Sequence, residues 1–338
     1  PKDPLNWTWT KKHLVFASLL LPSFLADFGT TYSTVAFQAQ SVTYKMTVPA
    51  VANSISGGIF MQGPGGPIAV PFTQRYGRLP VLFWSQVLTC AMVVGAALSP
   101  TYASFTAFRT LQGLFNTPPQ VIGLTFVYDM FFFHERARKI NIWAFCVILG
   151  PCIGPFVSSL LLTKLGWRQD FGIMAALYFL SQVIVITFGD ETLYNRSHPE
   201  PRPSKGVWSR IKLLTGIHGA QQAGRPTLVR VIKDIALVHT RPHIVLTTTG
   251  FMMIIFMWGI GVFTTIPQFL AMPPYSFTNL QTGLMYLSPA LGAIFGEIWG
   301  HWFNDFNALL YIKHHWARTV PKTGYGASTS APSSARRL

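Results

Sequence analysis

Eight long apolar runs, separated by shorter polar stretches, are the main pattern along the chain. Each run holds about 20 residues or more, the length that a helix needs to cross the hydrocarbon core of a membrane. Glycine and proline interrupt some runs, as in GGIFMQGPGGPIAVP, but membrane helices tolerate them because neighbouring groups satisfy the freed backbone. The pattern predicts an all-α, polytopic membrane protein with spans at 13–38, 48–72, 79–98, 102–128, 141–163, 170–189, 243–270 and 281–303.

Positive charges are distributed unequally between the two sides of these predicted spans. If the N-terminus is cytoplasmic, 22 Lys and Arg residues lie on the cytoplasmic side, three lie outside, and only Arg109 lies within a span. Cytoplasmic loops of membrane proteins carry an excess of Lys and Arg. The distribution therefore predicts a lipid bilayer around the chain and a cytoplasmic N-terminus.

The spacing of the spans divides the chain into two unequal sets. Six spans joined by short loops are followed by a long polar stretch and then by two more spans. Two helical lobes joined in this way are an architecture of secondary transporters. We predict a cytoplasmic segment over 1–12, a six-helix lobe over 13–189, a cytoplasmic linker over 190–242, two helices of a second lobe over 243–303, and a cytoplasmic, disordered tail over 304–338.

Composition agrees with a membrane protein and argues against several other classes. Charged residues make up 11% of the chain, against about 25% in soluble domains. The net charge of +15 is not gathered into a basic, aromatic module, so we expect no nucleic-acid partner. Cys90, Cys146 and Cys152 are scattered within apolar runs, where buried thiols are expected rather than a disulfide or a metal site. The chain contains no P-loop, GxSxG or HExxH motif, and we predict neither an enzyme nor a bound cofactor.

Three short motifs stand in the order found in the major facilitator superfamily. RYGR (75–78) lies between spans two and three, where that family has its G-x-L-a-D-R-x-G-R loop. RTLQG (109–113) in span four resembles the RxxQG motif, and GPCIGP (150–155) in span five resembles the core of the antiporter motif. DPLNWTWTKK and ETLYNR look like fungal drug:proton antiporters, so the resemblance covers about 1–315.

This resemblance implies a transporter that works by alternating access, with its substrate site near the middle of the membrane. The implied substrate is a small organic solute or xenobiotic. Protons returning down their gradient would drive its export. The plasma membrane is the expected location rather than the vacuolar membrane.

Arg109 is a cation inside a predicted span, where an arginine costs about 2.5–3.5 kcal/mol on insertion scales. Such a residue faces the bundle interior or water. The resemblance favours a charge that biases a proton site or orients a polar substrate. The alternative is a structural arginine bonded to helix carbonyls and to Gln112. Gln112 and Gly113 are expected to hold Arg109 in place and to let a neighbouring helix approach, with direct contact to the ligand as the alternative; Gln112 is thus a further candidate for coupling or substrate binding.

A proton-coupled carrier also needs a group that binds and releases a proton within the membrane. Asp27 lies near the middle of span one, and removal from water favours the neutral form of a carboxyl group. We predict a coupling or substrate role for Asp27, with a hydrogen bond to helix backbone or a pair with Arg109 as the alternatives. Glu297, near the cytoplasmic end of span eight, is a second candidate, for which gating or packing is the other interpretation.

The RYGR loop departs from the family pattern, because Gln74 stands where an acid is expected and Val70 where the first glycine is expected. Arg75, Gly77 and Arg78 remain, and we assign them to a cytoplasmic gate that lacks one half of its charge lock.

The second half of the chain supplies another candidate for the cytoplasmic gate. GHWFND (300–305), after span eight, resembles the equivalent loop and keeps Asp305. Asp129, at the end of span four, is expected to form a cytoplasmic salt bridge.

The GPCIGP segment predicts a bend in the fifth span at Gly150, Pro151, Gly154 and Pro155. Proline lacks a backbone N–H and glycine lacks a side chain, so the helix bends and packs tightly there. In the family such a bend favours exchange over one-way transport. The inference is weaker here because Cys146 and Ala137 stand where upstream glycines are expected.

Polar and aromatic residues within the spans are candidates for lining a cavity, with helix–helix packing as the alternative for each. They are Tyr32, Phe37, Gln38, Gln62, Asn116, Gln120, Trp143, Trp258 and Gln268.

The number of spans leaves a second hypothesis open, because the family has twelve and the chain supplies eight. A truncated, non-transporting membrane protein, from a gene fragment or as an assembly partner, is the alternative to a carrier. The chain opens without an initiator Met or a cleavable signal, so we expect that it begins inside a longer open reading frame. A membrane-embedded enzyme or receptor is a third possibility.

Overall fold

The structure, a computed structural model, describes residues 3–194, 206–220 and 225–319. The regular elements in these ranges are helical and include no strand, which confirms the predicted all-α class. Short 3-10 segments occur at Pro4–Asn6 and Tyr32–Ala36, and a π-helical turn occurs at Val245–Thr249. The α-helices are α1 (Trp9–Thr31), α2 (Phe37–Tyr44), α3 (Val48–Tyr76), α4 (Arg78–Leu98), α5 (Tyr102–Asn116), α6 (Pro118–Met130), α7 (Phe133–Leu161), α8 (Trp167–Phe188), α9 (Val207–Leu214), α10 (Ile217–Ala220), α11 (Leu228–His239), α12 (Pro242–Ile244), α13 (Gly250–Leu270), α14 (Asn279–Met285) and α15 (Leu287–Thr319).

Helices occupy all eight predicted spans. Within the described residues, five helical segments are long and apolar enough to cross a membrane by length and composition. The first of them is longer than the predicted span because the 3-10 segment Tyr32–Ala36 joins α1 to α2 without a loop. The five segments are Trp9–Tyr44, Arg78–Leu98, Glu135–Leu161, Trp167–Phe188 and Val245–Leu270.

Span four, predicted as one helix over 102–128, is divided at Thr117. Helix α5 ends at Asn116, and α6 begins with Pro118 and Pro119. Thr117 keeps helical dihedral angles, with φ of −73° and ψ of −38°. The division arises because proline has no backbone N–H, so two consecutive prolines interrupt the hydrogen bonds of α5 and begin the next helix.

The last helix continues beyond the predicted eighth span. Helix α15 ends at Thr319, so residues 304–319 are helical and not part of a disordered tail, and GHWFND lies inside a helix rather than in a loop. No proline follows Pro289 until Pro321, and one glycine inside a helix costs only about 1 kcal/mol. The rest of the predicted tail, 320–338, lies outside the described residues.

The chain divides into one compact unit that ends at Glu297 and a second that begins at Ile298. The contacts described below lie within the first unit. There α1 is central, because it packs against α5, α6, α7 and α8. Leu19, Ala26 and Tyr32 are accordingly buried along its length.

Glycines bring two pairs of helices into close contact. A methyl group on Gly113 would overlap the backbone of Gly58, so α3 and α5 approach each other through these residues. A methyl group on Gly150 would stand 2.6 Å from the carbonyl oxygen of Phe24, so α7 and α1 approach in the same way. Small residues at such crossings are characteristic of membrane helices, where close packing drives association.

Candidate functional site

Arg109 lies on α5, is 3% exposed, and donates hydrogen bonds to the backbone of α1. One guanidinium nitrogen donates to the carbonyl oxygen of Gly29 at 2.9 Å and to Oε1 of Gln112 at 2.9 Å. The other donates to the carbonyl oxygen of Thr30 at 2.7 Å. The guanidinium carbon also lies 5.6 Å from the centre of the Phe171 ring. A planar guanidinium is suited to this forked arrangement.

Two further buried side chains donate to the same stretch of α1. The amide of Asn116 donates to the carbonyl oxygen of Ala26, and the hydroxyl of Tyr178 donates to the carbonyl oxygen of Leu25 at 2.6 Å. Buried polar groups of this kind are costly unless hydrogen-bonded. Carbonyl oxygens of α1 between residues 25 and 30 therefore accept hydrogen bonds from polar side chains on two other helices, α5 and α8.

These bonds are the ones that the structural interpretation of Arg109 expects. The guanidinium contacts helix carbonyls and Gln112, and among the described residues it has no ion pair with a carboxylate. The anticipated pair between Asp27 and Arg109 is not formed. A role of Arg109 in biasing a proton site stays a prediction.

Asp27 is half-buried and lies near two side-chain amides, one of which donates a hydrogen bond to it. Nε2 of Gln62 on α3 donates to Oδ1 of Asp27 at 3.2 Å and to Oγ1 of Thr30 at 3.0 Å. The side chain of Gln120 on α6 lies near the Asp27 carboxyl group, but its amide nitrogen makes no hydrogen bond within the described residues. Asp27 is thus surrounded by neutral polar groups, and it is joined to Arg109 only indirectly, through Thr30.

Glu297 is half-buried at the end of the first unit, and its charge acts on the thiol of Cys146 on α7. Cys146 lies one helical turn before Gly150, where α7 meets the backbone of Asp27 and its neighbours. Glu297 thus lies within electrostatic range of the fifth predicted span. Whether it acts in coupling, gating or packing stays a prediction.

The GPCIGP segment lies where α7 crosses α1. The hydroxyl of Thr31 is 3.3 Å from the carbonyl oxygen of Pro151, and a methyl group on Gly154 would stand 2.7 Å from the carbonyl oxygen of Phe28. Pro151 and Pro155 lie inside one continuous α7. The segment is thus a contact surface for the first helix, and the predicted bend stays a prediction.

The predicted cytoplasmic gate has more acidic partners than its sequence motif indicates. The Arg78 guanidinium forms an ion pair with Asp129, as expected for that aspartate, and donates to the carbonyl oxygen of Thr125 at 2.6 Å. Glu191 accepts from the backbone N–H groups of Arg78 at 3.0 Å and of Leu79 at 3.1 Å. Two carboxylates distant in sequence, Asp129 and Glu191, thus contact Arg78. The cytoplasmic gate that lacks the acid at position 74 stays a prediction.

The other gate candidates have different surroundings. Gly77 ends α3 with φ of 112°, in the region that favours glycine, and the Glu191 side chain fills the space where its side chain would stand. The carbonyl oxygen of Arg75 accepts from Arg225 at 3.3 Å. Asp305 lies within α15, and its side chain is outside the described residues.

Removing the Glu191 carboxylate is expected to destabilise the protein through the loss of a helix cap. In Glu191→Ala the first N–H groups of α4 lose their acceptor, which costs about 1 kcal/mol, or about 2 °C in Tm for a large domain. Thermal unfolding in detergent measures the shift. Asp190→Asn is the matched control, because Asp190 pairs with Lys11 in a partly exposed ion pair that contributes little. Equal shifts for both variants would contradict the capping role.

A small cleft lies near the predicted outer ends of the helices. Phe37, Gln38 and Gln268, three of the candidate cavity residues, line it together with Thr34 and Thr282. Trp143 instead donates to the hydroxyl of Ser23 at 3.3 Å, while Trp258 is 67% exposed on α13. Of the described candidates, some thus face a cleft and others are packed or exposed.

The sequence pattern does not predict the contacts of two acidic residues and one tyrosine on or next to α8. Glu191 and Tyr178 were not singled out, and Asp170 stands at the first position of predicted span six, where an acid usually lies in the interface. The signal for Asp170 was weak because a charged residue at the end of a span is common. In the structure it is completely buried.

Comparison with known proteins gives consistent similarities. The sequence model of the Major Facilitator Superfamily matches residues 19–314. The efflux pump radE of Floropilus chiversii is 25% identical over 314 residues, which cover 88% of this chain and 55% of that protein. The multidrug transporter FLR2 of Candida glabrata is 24% identical over 317 residues, which cover 87% of this chain and 51% of that protein. The chain thus spans about half the length of these curated relatives.

Solved structures with the same fold are also transporters. A bacterial homologue of the human lysosomal transporter Spinster, in an inward-facing and unoccupied conformation, aligns with a TM-score of 0.61 and 16% identity over 91% of this chain and 64% of that one. A D-xylose–proton symporter aligns with a TM-score of 0.57 and 16% identity over 91% of this chain and 70% of that one. At these identities the likeness concerns the fold.

Proposed function

Since this chain belongs to the Major Facilitator Superfamily, whose members are membrane transporters and not enzymes, we propose that it moves a small organic solute or xenobiotic across a membrane in exchange for protons. The direction is export, the mechanism is alternating access, and the N-terminus is cytoplasmic. The plasma membrane is the proposed location. These finer statements are proposals for the whole protein, because the chain spans about half of its relatives.

The surroundings of Asp27 carry the proposal of proton coupling. This half-buried carboxyl lies in the middle of a membrane helix, accepts from the amide of Gln62 at 3.2 Å and lies near Gln120. Within the part of the chain that the structure describes, it forms no ion pair that would fix it as a charged group. A neutral amide can donate to the ionised carboxylate and accept from the protonated acid after a side-chain rotation. Asp27 is therefore the proposed proton carrier.

Arg109 is the proposed organiser of the same region. It fixes the carbonyl oxygens of Gly29 and Thr30, and Thr30 shares Gln62 with Asp27. A change at Asp27 can thereby be passed to the backbone of α1 without a direct ion pair. Gln112 orients the guanidinium, and we assign it no contact with the substrate.

The substrate class follows from the names of relatives, which include an efflux pump and a multidrug transporter. The first name describes export, and the second describes a broad range of compounds. We transfer only this class to the chain: small organic molecules of foreign or metabolic origin.

Uptake of dyes into inside-out membrane vesicles tests the proposal. With the vesicle lumen acid, vesicles that contain the protein are expected to accumulate ethidium or Nile red above the level of vesicles that lack it. A protonophore is expected to remove the difference. Equal uptake with and without the gradient would reject proton coupling, and uptake equal to that of empty vesicles in both conditions would reject transport of this class by the chain.

A further inference from the structure

A second buried carboxyl group, Asp170, lies outside the Asp27 and Arg109 region. It is 0% exposed in the first turn of α8, at the end of that helix opposite to Glu191. Tyr32 donates its hydroxyl to Oδ1 at 2.7 Å, and Ser158 donates its hydroxyl to Oδ2 at 2.6 Å. We call these three residues, Tyr32, Ser158 and Asp170, the Asp170 cluster.

The Asp170 cluster joins three helical segments at one point. Tyr32 begins the 3-10 segment that interrupts the first span, Ser158 is on α7 beyond Pro155, and Asp170 is on α8. Both donors are also 0% exposed. Among the described residues Asp170 has no ion pair with Lys, Arg or His. A carboxyl in this position serves as a double acceptor that two hydroxyl groups share.

Each donor stands close to a residue that contacts α14, which belongs to the predicted second lobe. Two residues after Tyr32, the hydroxyl of Thr34 lies 3.5 Å from the hydroxyl of Tyr286, which follows α14. Directly after Ser158, the side chain of Ser159 abuts Gly283 so closely that a methyl group on Gly283 would overlap it. Both contacts are buried, with Thr34 at 1% and Ser159 at 0% exposure.

We propose that Asp170 is a positioning residue that closes the predicted outer side of the carrier, by holding the 3-10 segment and α7 in register for their contacts with α14. One carboxyl group controls both contacts, because each of its oxygens fixes one of the two surfaces. The 3-10 segment is the weaker surface, since such segments have poorer hydrogen-bond geometry than an α-helix. The cleft lined by Thr34 and Thr282 lies beside this closure.

The inference rests on the proposed transport function, but its test does not depend on solute movement. Single cysteines replace Thr34 or Ser159 in a background without Cys90, Cys146 and Cys152. Their reaction with a membrane-impermeant maleimide is followed in membrane fragments that are open on both faces. Labelling is expected to be slow in this background, because both side chains are buried.

Three variants test the two hydrogen bonds of the Asp170 cluster, singly and together. Tyr32→Phe is expected to raise labelling of the Thr34→Cys reporter at least tenfold and to leave the Ser159→Cys reporter unchanged. Ser158→Ala is expected to do the reverse. Asp170→Leu, which keeps the approximate size of the side chain and removes both acceptors, is expected to raise labelling at both reporters.

Control measurements distinguish closure from general loss of structure. Cys146, retained alone in a parallel background, lies about three turns before Ser158 on α7, and its labelling is expected to stay within twofold. If Asp170→Leu raises labelling at Cys146 as well, that variant is unfolded, and the two single-bond variants decide the outcome. Unchanged labelling at both reporters in the single-bond variants would overturn the inference. Dye transport by the parent, measured separately, tells whether the proposed function itself holds.

Discussion

Replacing Arg109 with methionine is expected to remove transport and to lower the ratio of folded to unfolded protein about 100-fold. The change deletes the donors to Gly29, Thr30 and Gln112 from a site that is 3% exposed. Hydrogen bonds to charged groups contribute about 1.5–3 kcal/mol each, and part of the loss is returned because a buried charge no longer needs to be desolvated. A net cost of about 3 kcal/mol follows.

The measurement is the yield of monodisperse protein in detergent together with its Tm. Arg168→Met is the matched control, because Arg168 is a half-buried arginine that donates to one carbonyl, that of Ala97 at 3.0 Å. We expect Arg168→Met to lower the free energy of unfolding by less than about 1 kcal/mol, the contribution of one hydrogen bond at a partly exposed site. Arg109→Lys retains the charge but not the forked guanidinium group. Its loss of stability should therefore lie between those of Arg109→Met and Arg168→Met. If Arg109→Met were as stable as Arg168→Met while still losing transport, Arg109 would be a functional charge and not an anchor of α1.

Replacing Asp27 with asparagine is expected to uncouple transport from the proton gradient while the protein stays folded. Asparagine keeps an oxygen that can accept from Gln62, whose amide lies 3.2 Å from Oδ1 of Asp27. It cannot bind and release a proton. One pH unit corresponds to about 1.4 kcal/mol, so electroneutral exchange of one proton for one singly charged cation such as ethidium supports up to about tenfold accumulation per pH unit in the parent. The variant should reach only equilibrium.

The same vesicles provide the measurement, with accumulation recorded at several imposed pH differences. Asp190→Asn is the control acid, because its partly exposed carboxyl pairs with Lys11 away from the Asp27 surroundings. That variant should follow the parent at every pH difference. Solute exchange without a gradient should persist in Asp27→Asn. Accumulation by Asp27→Asn that still rises with the pH difference would reject Asp27 as the proton carrier and direct attention to Glu297.

Fold class and helix positions were predictable because they depend on the local pattern of apolar residues. A run of about 20 apolar residues buries its backbone polar groups only as a helix, and each predicted span is helical in the structure. The errors concern helix ends. Span four breaks at Pro118 and Pro119, and α15 passes through the predicted loop at 300–305 because that segment contains no proline.

The sequence alone does not predict which residues form hydrogen bonds or ion pairs with the charged residues. Arg109 was identified as buried from its position in a span, but its bonds to Gly29 and Thr30 join residues about 80 positions apart. The hydrogen bond between Glu191 and Arg78 joins residues 113 positions apart, and the one between Tyr32 and Asp170 joins residues 138 positions apart. No periodicity encodes such pairs, because they arise only when helices pack.

The sequence by itself thus determined that the chain is a helical membrane protein, and its motifs indicated a carrier with Asp27 and Arg109 in its first lobe. The tertiary structure decided that these two residues do not pair, that Asp129 and Glu191 contact Arg78, and that Asp170 is buried between Tyr32 and Ser158. The physical reason is the range of the forces involved. Transfer of a segment into lipid depends on the residues within that segment, whereas the partner of a buried polar group depends on which helices meet.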